Sequence, residues 1–348
     1  MTTLTLVIPG LLRNTHEITE RFPALERLFT RSDPLPDEGS GRGLEALFFR
    51  LFGVPTEASL PIAAVTHAFD SADPVELTQE GWIRADPVYL EPNRSGIRLF
   101  DQRVLTLSLD EAERLAAALS TEEPPTSQGN GRLKVLHPTR WYLPLPLSRV
   151  DRIRTSALSV VHGQDIRDHL PQGEDSRAWR KWLTSSQILL HQSPINTERE
   201  ARGAWPVNSV WLWGEGCTPT VSKNGFSQVW SDDPLVLGLA CLAATPHTAT
   251  PTNAEAWLRQ AGTRDLIVLP DPDALAPTEV SAGQDQTLGR LEQDWFAPLQ
   301  EALQTGMIKS LTLYPCPAPP RYITGSWLRR RWWRRTRPLA HRAPPTAP

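Results

Sequence analysis

Short apolar runs of strand length alternate with stretches of helical periodicity along most of the chain, and this alternation limits what it can fold into. Residues 4–8 read as a buried strand closed by Pro9-Gly10. Residues 22–29 place Phe22, Leu25, Leu28 and Phe29 on one helical side, and residues 43–51 form a second apolar-faced helix. Strand-like runs follow at 81–90 with a turn at Pro87, at 133–136 and 141–145, at 207–213, at 266–269 and at 307–314. Leu105, Leu107 and Leu109 alternate as in a half-buried strand, and Ser108 and Asp110 offer caps for a helix over 111–119. Helical spacing returns over 176–190, and Leu291, Trp295, Leu299 and Leu303 recur at intervals of four. The pattern predicts an α/β fold with a mixed or mostly parallel sheet flanked by helices, rather than an all-β or bundle fold. The 33 prolines favour short elements and fixed turns over long helices.

The polar, turn-rich stretch 121–131 is the expected internal junction. It separates an N-terminal α/β part (1–120) from a second α/β part (132–326), which forms a separate domain or continues the first. An Arg/Trp/Pro-rich tail occupies 327–348. A net charge of -3 gives no general pull toward nucleic acid or anionic lipid. Cys217, Cys241 and Cys316 are too dispersed for a disulfide framework or a paired-cysteine zinc site, and each reads as a buried small residue. The first apolar stretch lacks a basic region before it and is too short for a secretion signal. No run approaches the ~20 apolar residues of a membrane span. A cytoplasmic protein with no membrane span is expected.

The most specific segment is His191-Gln192-Ser193-Pro194-Ile195-Asn196-Thr197-Glu198-Arg199, continuing through Pro206-Val207-Asn208 into Trp211-Leu212-Trp213-Gly214-Glu215-Gly216. Residue by residue, it reads as a strand running into a Gly-x-Gly turn. Gly214 and Gly216 permit positive φ and leave backbone amides facing outward. His191, Asn196, Arg199, Asn208 and Trp213 surround that turn, and arginine with amides suits a phosphate or carboxylate. A second reading also fits: a tight turn ending a core strand, His191 as a partly buried histidine, and Asn196 as the cap of the next helix.

The pattern His-x-x-Pro-Ile-Asn-x-x-Arg followed by Pro-Val-Asn-x-x-Trp-x-Trp-Gly-x-Gly resembles the central region of archaeal-type cofactor-independent phosphoglycerate mutases. The likeness covers the 26 residues from His191 to Gly216 and continues weakly through Ser231-Asp232-Asp233-Pro234 to Ala240. The whole chain, with its arginine- and tryptophan-rich end, resembles the bacterial RpfE-type regulatory proteins. The resemblance implies an alkaline-phosphatase-like fold in reduced form and a small phosphorylated ligand. It also implies two metals held by an aspartate after the first strand, a serine nucleophile and a later Asp/His cluster, because phosphoryl transfer rests on positioning and neutralisation by cations. Here the first strand ends in Pro9-Gly10-Leu11, and the serine loop has no counterpart.

The leading expectation is therefore a non-catalytic or regulatory relative with no cofactor. The competing one is an active phosphomutase- or phosphatase-like enzyme on a small phosphorylated metabolite, binding Mn²⁺ or Zn²⁺. His162, Asp165, Asp168 and His169, with Asp271 and Asp273, are its metal-ligand candidates, and Asp86 and Asp101 are further carboxylates. Both Asp271-Pro272-Asp273 and the 162–169 stretch also read as plain turns. Residues 327–337 hold six arginines and three tryptophans. They either pack on the sheet with their charges in solvent, or bind a protein partner. Stacking on nucleic acid is the least expected of the three.

Overall fold

The computed structural model describes residues 2–13, 15, 18–35, 43–56, 59–71, 80–94, 96–125, 132–223, 225–272, 283–315, 321–325, 331 and 333–341. The chain divides into two compact units, one of residues 1–54 and 221–348 and the other of residues 55–220. The first unit begins with β1 (Thr2–Val7), α1 (Pro23–Arg31), β2 (Asp33–Leu35) and α2 (Gly43–Leu51). The second starts with α3 (Ile62–Asp70), β3 (Gly81–Asn93), β4 (Gly96–Phe100), α4 (Leu109–Leu119), β5 (Lys134–His137) and β6 (Arg140–Leu145). It ends with α5 (Leu158–Val161), α6 (Ser176–His191), α7 (Pro194–Ala201) and β7 (Ser209–Cys217). The chain then returns to the first unit through β8 (Gln228–Trp230), α8 (Pro234–Leu242), β9 (His247–Thr248), α9 (Ala254–Leu258) and β10 (Arg264–Val268). There follow α10 (Gly283–Leu291), α11 (Ala297–Thr305), β11 (Ile308–Tyr314) and β12 (Arg321–Gly325).

In the first unit the described strands form one sheet in the order β2-β12-β11-β1-β10-β8-β9. The pairings from β11 across to β9 are parallel, and β12 and β2 add antiparallel at one edge. Alternation along the strands sends Leu4, Leu6, Ile267, Leu311 and Leu313 into one core. Leu25, Leu28 and Phe29 of α1, Trp257 of α9, and Leu299 and Leu303 of α11 cover that face. A carboxylate caps α1 from a distance, since Glu292 accepts from the amides of Ala24 and Leu25 at 2.5 and 3.0 Å. Residues 291–303 are not one regular helix: a π-helical turn, Glu292–Phe296, joins α10 to α11.

In the second unit β3 is central. Its first residues pair antiparallel with both β6 and β7, and its last residues pair with β4. Pro87 makes no turn. It stays extended opposite Val210, after the β6 pairing has ended at Arg84 and before the β4 pairing begins at Tyr89, where its missing N–H is tolerated. Leu105 and Leu107 are buried in an irregular approach to α4, and Leu109 is an exposed first-turn residue. Ser108 and Glu111 close a reciprocal capping box there, so the cap overrides the apparent alternation.

The expected junction at 121–131 falls inside the second unit, with 126–131 outside the described residues. The observed division lies at 54/55 and 220/221 instead, because β8, β10 and β11 pair with β1 and beside it across the long insertion. Cys217 is exposed and Cys241 half-buried, contrary to the expectation of burial, and Cys316 lies outside the described residues. Of the tail, Arg331 donates to Asp33 at 2.7 and 2.8 Å, Arg334 donates to the Ser32 carbonyl, and Leu339 is buried. Trp333 is exposed, while residues 327–330 and 332 lie outside the described residues. No helix among the described residues is long and apolar enough to cross a membrane.

Candidate functional site

The polar side chains of the central signature bond mainly to backbone groups, within the segment and beside it. Asn196 lies within α7 and does not cap it. Its amide donates to the carbonyls of Leu190 and Val207, both at 2.7 Å, and its oxygen accepts from the Val207 amide at 2.9 Å. Asn208 brackets Leu90 in the same way, accepting from its amide at 2.7 Å and donating to its carbonyl at 2.9 Å. Arg199 is 1% exposed and donates to the carbonyls of Trp205 and Thr106, at 2.9 Å each, and to Glu111 at 3.0 Å. Arg202 also reaches Glu111. Burial alone would raise the Glu111 pKa; the Ser108 amide and the two guanidiniums outweigh it and bring it down to about 2. His191, the last residue of α6, is exposed.

The Gly-x-Gly does not form a loop. Gly214 and Gly216 lie inside β7, beside a register shift in its pairing with β3. A Cβ on Gly214, at φ +70°, would stand 3.0 Å from Cβ of Ile62 and 3.2 Å from the Ala63 nitrogen. On Gly216 it would stand 2.4 Å from Cβ of Pro61. These glycines let the start of α3 lie directly on the strand, which is close packing in place of the expected anion cradle.

Trp213 joins a buried network that the sequence reading did not assemble. Its indole donates to Asp86 at 2.8 Å, Arg84 reaches the same carboxylate at 2.6 Å, and the guanidinium lies 4.6 Å from the Trp213 ring. Burial raises the Asp86 pKa, opposed by Arg84, Trp213 and the Trp141 amide. Asp70 of α3 accepts two bonds from Arg140 at 2.6 Å and one from the Tyr142 hydroxyl at 2.5 Å. Burial pushes the Tyr142 pKa upward, so its phenol keeps the proton it donates. Two arginines and two aspartates balance, so the network carries no net charge to draw in an anion. The only sequence signal was the Arg84-x-Asp86 spacing, which puts both side chains on one strand face. That Asp70 comes from another element was invisible.

Within the second unit the described metal-ligand candidates do not assemble either. His162 Nδ1 lies 3.1 Å from Asp101, which also holds Arg103. Burial lowers the His162 pKa, against the pull of Asp101. Asp165 accepts from the Arg167 amide and side chain, while Asp168 is exposed and His169 half-buried on the short helical turn that follows. Asp271 belongs to the other unit and Asp273 lies outside the described residues. Among the described residues no group of three or more His, Cys, Asp or Glu is placed to hold a metal ion.

The C-terminal edge of the parallel sheet is where an α/β fold of this kind offers loops for chemistry. There β1 runs into Pro9-Gly10, and Arg13 Nη2 lies 3.1 Å from Asp271, just beyond β10. Gly10, at φ +74°, faces this pair: a Cβ there would stand 2.7 Å from Asp271 Oδ1. Among the described residues at this edge, Asp271 faces Arg13 and Asp232, beyond β8, accepts from the Thr250 amide at 3.4 Å, and no group of three metal ligands gathers there.

The first unit is an α/β fold with a mixed, mostly parallel sheet flanked by helices, and the second unit is built on an antiparallel sheet. A solved structure, the PH0037 protein from Pyrococcus horikoshii, superposes with a TM-score of 0.55 over 93% of this chain and 87% of its own, at 13% identity. Part of the chain is homologous to cofactor-independent phosphoglycerate mutases. A 2,3-bisphosphoglycerate-independent phosphoglycerate mutase of Methanosarcina mazei is 34% identical over 125 residues, 31% of each chain. The probable enzyme of Geobacter sulfurreducens is 39% identical over 63 residues, and that of Methanothrix thermoacetophila 35% over 63, each match covering 18% of this chain and 16% of the relative. The matched part thus spans a third or less of these relatives. No protein-family model matches the chain.

Proposed function

We propose that this chain is a non-catalytic, regulatory relative of the cofactor-independent phosphoglycerate mutases, acting by binding rather than by turnover. The observation that carries this reading is the Arg13–Asp271 pair at the sheet edge. Two-metal phosphoryl transfer needs several carboxylates and imidazoles converging on cations. In this chain the Arg13 guanidinium stands 3.1 Å from the Asp271 carboxylate. Gly10, in the loop after β1, has a Cβ direction that runs into that same carboxylate. The polar signature near Gly216, the part most like the mutases, is engaged with backbone groups of its own segment and of neighbouring ones. The regulatory half of the proposal, with a protein as partner, extends the resemblance read in the sequence to RpfE-type regulatory proteins.

Elemental mass spectrometry on the purified full chain, followed by a phosphoglycerate mutase assay with added Mn²⁺, tests the proposal. The expected result is metal far below one equivalent and no interconversion of 2- and 3-phosphoglycerate. Near-stoichiometric Mn or Zn, or turnover that depends on added Mn²⁺, overturns it.

A further inference from the structure

The first unit contains a cavity of about 400 Å³ where the end of α1 and the edge strand β2 meet the C-terminal tail. Phe29 of α1 and Tyr322 of β12, both buried, meet edge to face with ring centres 4.6 Å apart and form an apolar side with Pro34. Arg334, Arg335 and Arg337 line the cavity from the tail. The described contacts hold this tail segment at both ends. Arg331 donates to the Arg31 carbonyl at 2.9 Å and, through two nitrogens, to both oxygens of Asp33. Leu339 belongs to the main core, and its amide donates to Glu26 at 3.4 Å. Between these anchors the Arg337 amide donates to the Thr30 hydroxyl at 3.4 Å.

The charges around the cavity do not balance. Arg334 donates to the Ser32 carbonyl at 3.0 Å and lies 3.7 Å from Asp33, a carboxylate that Arg331 already engages through both oxygens. Arg335 and Arg337 are exposed, and among the described residues neither side chain pairs with a carboxylate. An arginine in open solvent needs no partner. Three anchored around one cavity raise its potential together, and their planar forks match an anion with several oxygens. A phosphoryl group on a side chain carries a charge of about −1.5 to −2 at neutral pH, which suits the two unpaired guanidiniums. The exposure of Arg335 and Arg337 also bears on where that group comes from. Small-molecule sites enclose most of their ligand, whereas a phosphorylated side chain presented by another chain needs only its head held, and arginine clusters are a recurring way to hold it. We propose that the cavity between the end of α1 and residues 334–337 receives a phosphorylated side chain of a protein partner. The proposal rests on the reading of this chain as a protein-binding relative of the mutases.

The test uses the full chain and a short fluorescein-labelled alanine peptide with one central phosphoserine, followed by anisotropy at constant ionic strength. Saturable binding is expected, with the unphosphorylated peptide at least about ten-fold weaker. Arg335→Gln and Arg337→Gln should each weaken it about ten-fold, while Arg259→Gln, an exposed change away from the cavity lining, leaves it unaltered. Phenylglyoxal labelling of the unaltered protein gives a second readout. The phosphopeptide should protect Arg335 and Arg337 and leave Arg259 reactive. Absence of saturation, equal binding of the two peptides, indifference to both changes or unselective protection overturns the site. Phenyl phosphate binding more tightly than the phosphopeptide overturns its assignment to a partner's side chain. Mn²⁺-dependent turnover with peptide binding intact overturns only the non-catalytic reading, whereas failed peptide binding without turnover overturns only this site.

Discussion

The segment from Leu190 to Gly216 and the C-terminal edge of the first unit's sheet give opposite answers to the question of where function resides. The first is the most specific stretch of sequence, yet the polar atoms of Asn196, Arg199 and Asn208 are engaged with nearby carbonyls, amides and Glu111. The second is unremarkable as sequence, two short loops with a glycine, an arginine and an aspartate, yet it occupies the position where sheets of this kind support chemistry. A specific pattern of polar residues can therefore mark a hydrogen-bonded scaffold. Backbone groups in an irregular connection need partners, and side chains that supply them are as constrained as side chains that bind substrate.

The largest effect that would sharpen this contrast is expected at Arg199. Arg199→Ala leaves two carbonyls and the Glu111 carboxylate short of a buried donor, and should cost about 3–5 kcal/mol of stability. Urea denaturation monitored by tryptophan fluorescence would show the shift; a change below ~1 kcal/mol would break the scaffold reading. Next comes Gly214→Ala, which forces a side chain into left-handed backbone and against Ile62, at about 1–3 kcal/mol by the same measurement.

A pH titration of stability probes Glu111. Its folded pKa of about 2 lies below its ordinary value of 4.5, so its contribution is fully present above that ordinary value. It is lost as pH falls from about 4.5 toward 2, and Glu111→Gln should flatten this acid limb. The smallest effect is expected at the sheet edge. Arg13→Ala removes a pair whose side chains are 45% and 27% exposed, and should change stability by less than ~1 kcal/mol. A loss there as large as that of Arg199→Ala would erase the distinction between the two regions.

Much of the fold was legible because its signals are local. Gly43–Leu51 was recovered to the residue, and β10 and β11 to within two, since burial on one side imposes a readable period. The signal misled where a local rule outranked the period. The Ser108–Glu111 capping box turned an apparent strand at 105–109 into a helix approach, and the glycines at 214 and 216 served close packing against α3 instead of a turn.

By itself the sequence determined the alternation of strands and helices, the α/β class and the likeness of its centre to the mutases. Only the tertiary structure decided that residues 55–220 form a unit inserted, along the chain, between segments that share one sheet. It alone decided that Asn196 and Arg199 turn inward to the backbone, that Arg13 meets Asp271, and that Arg334, Arg335 and Arg337 line one cavity with Phe29 and Tyr322. The reason is range. Periodicity and caps act over a few residues, whereas each of these meetings joins side chains brought together by sheet pairing or packing, which no local pattern records.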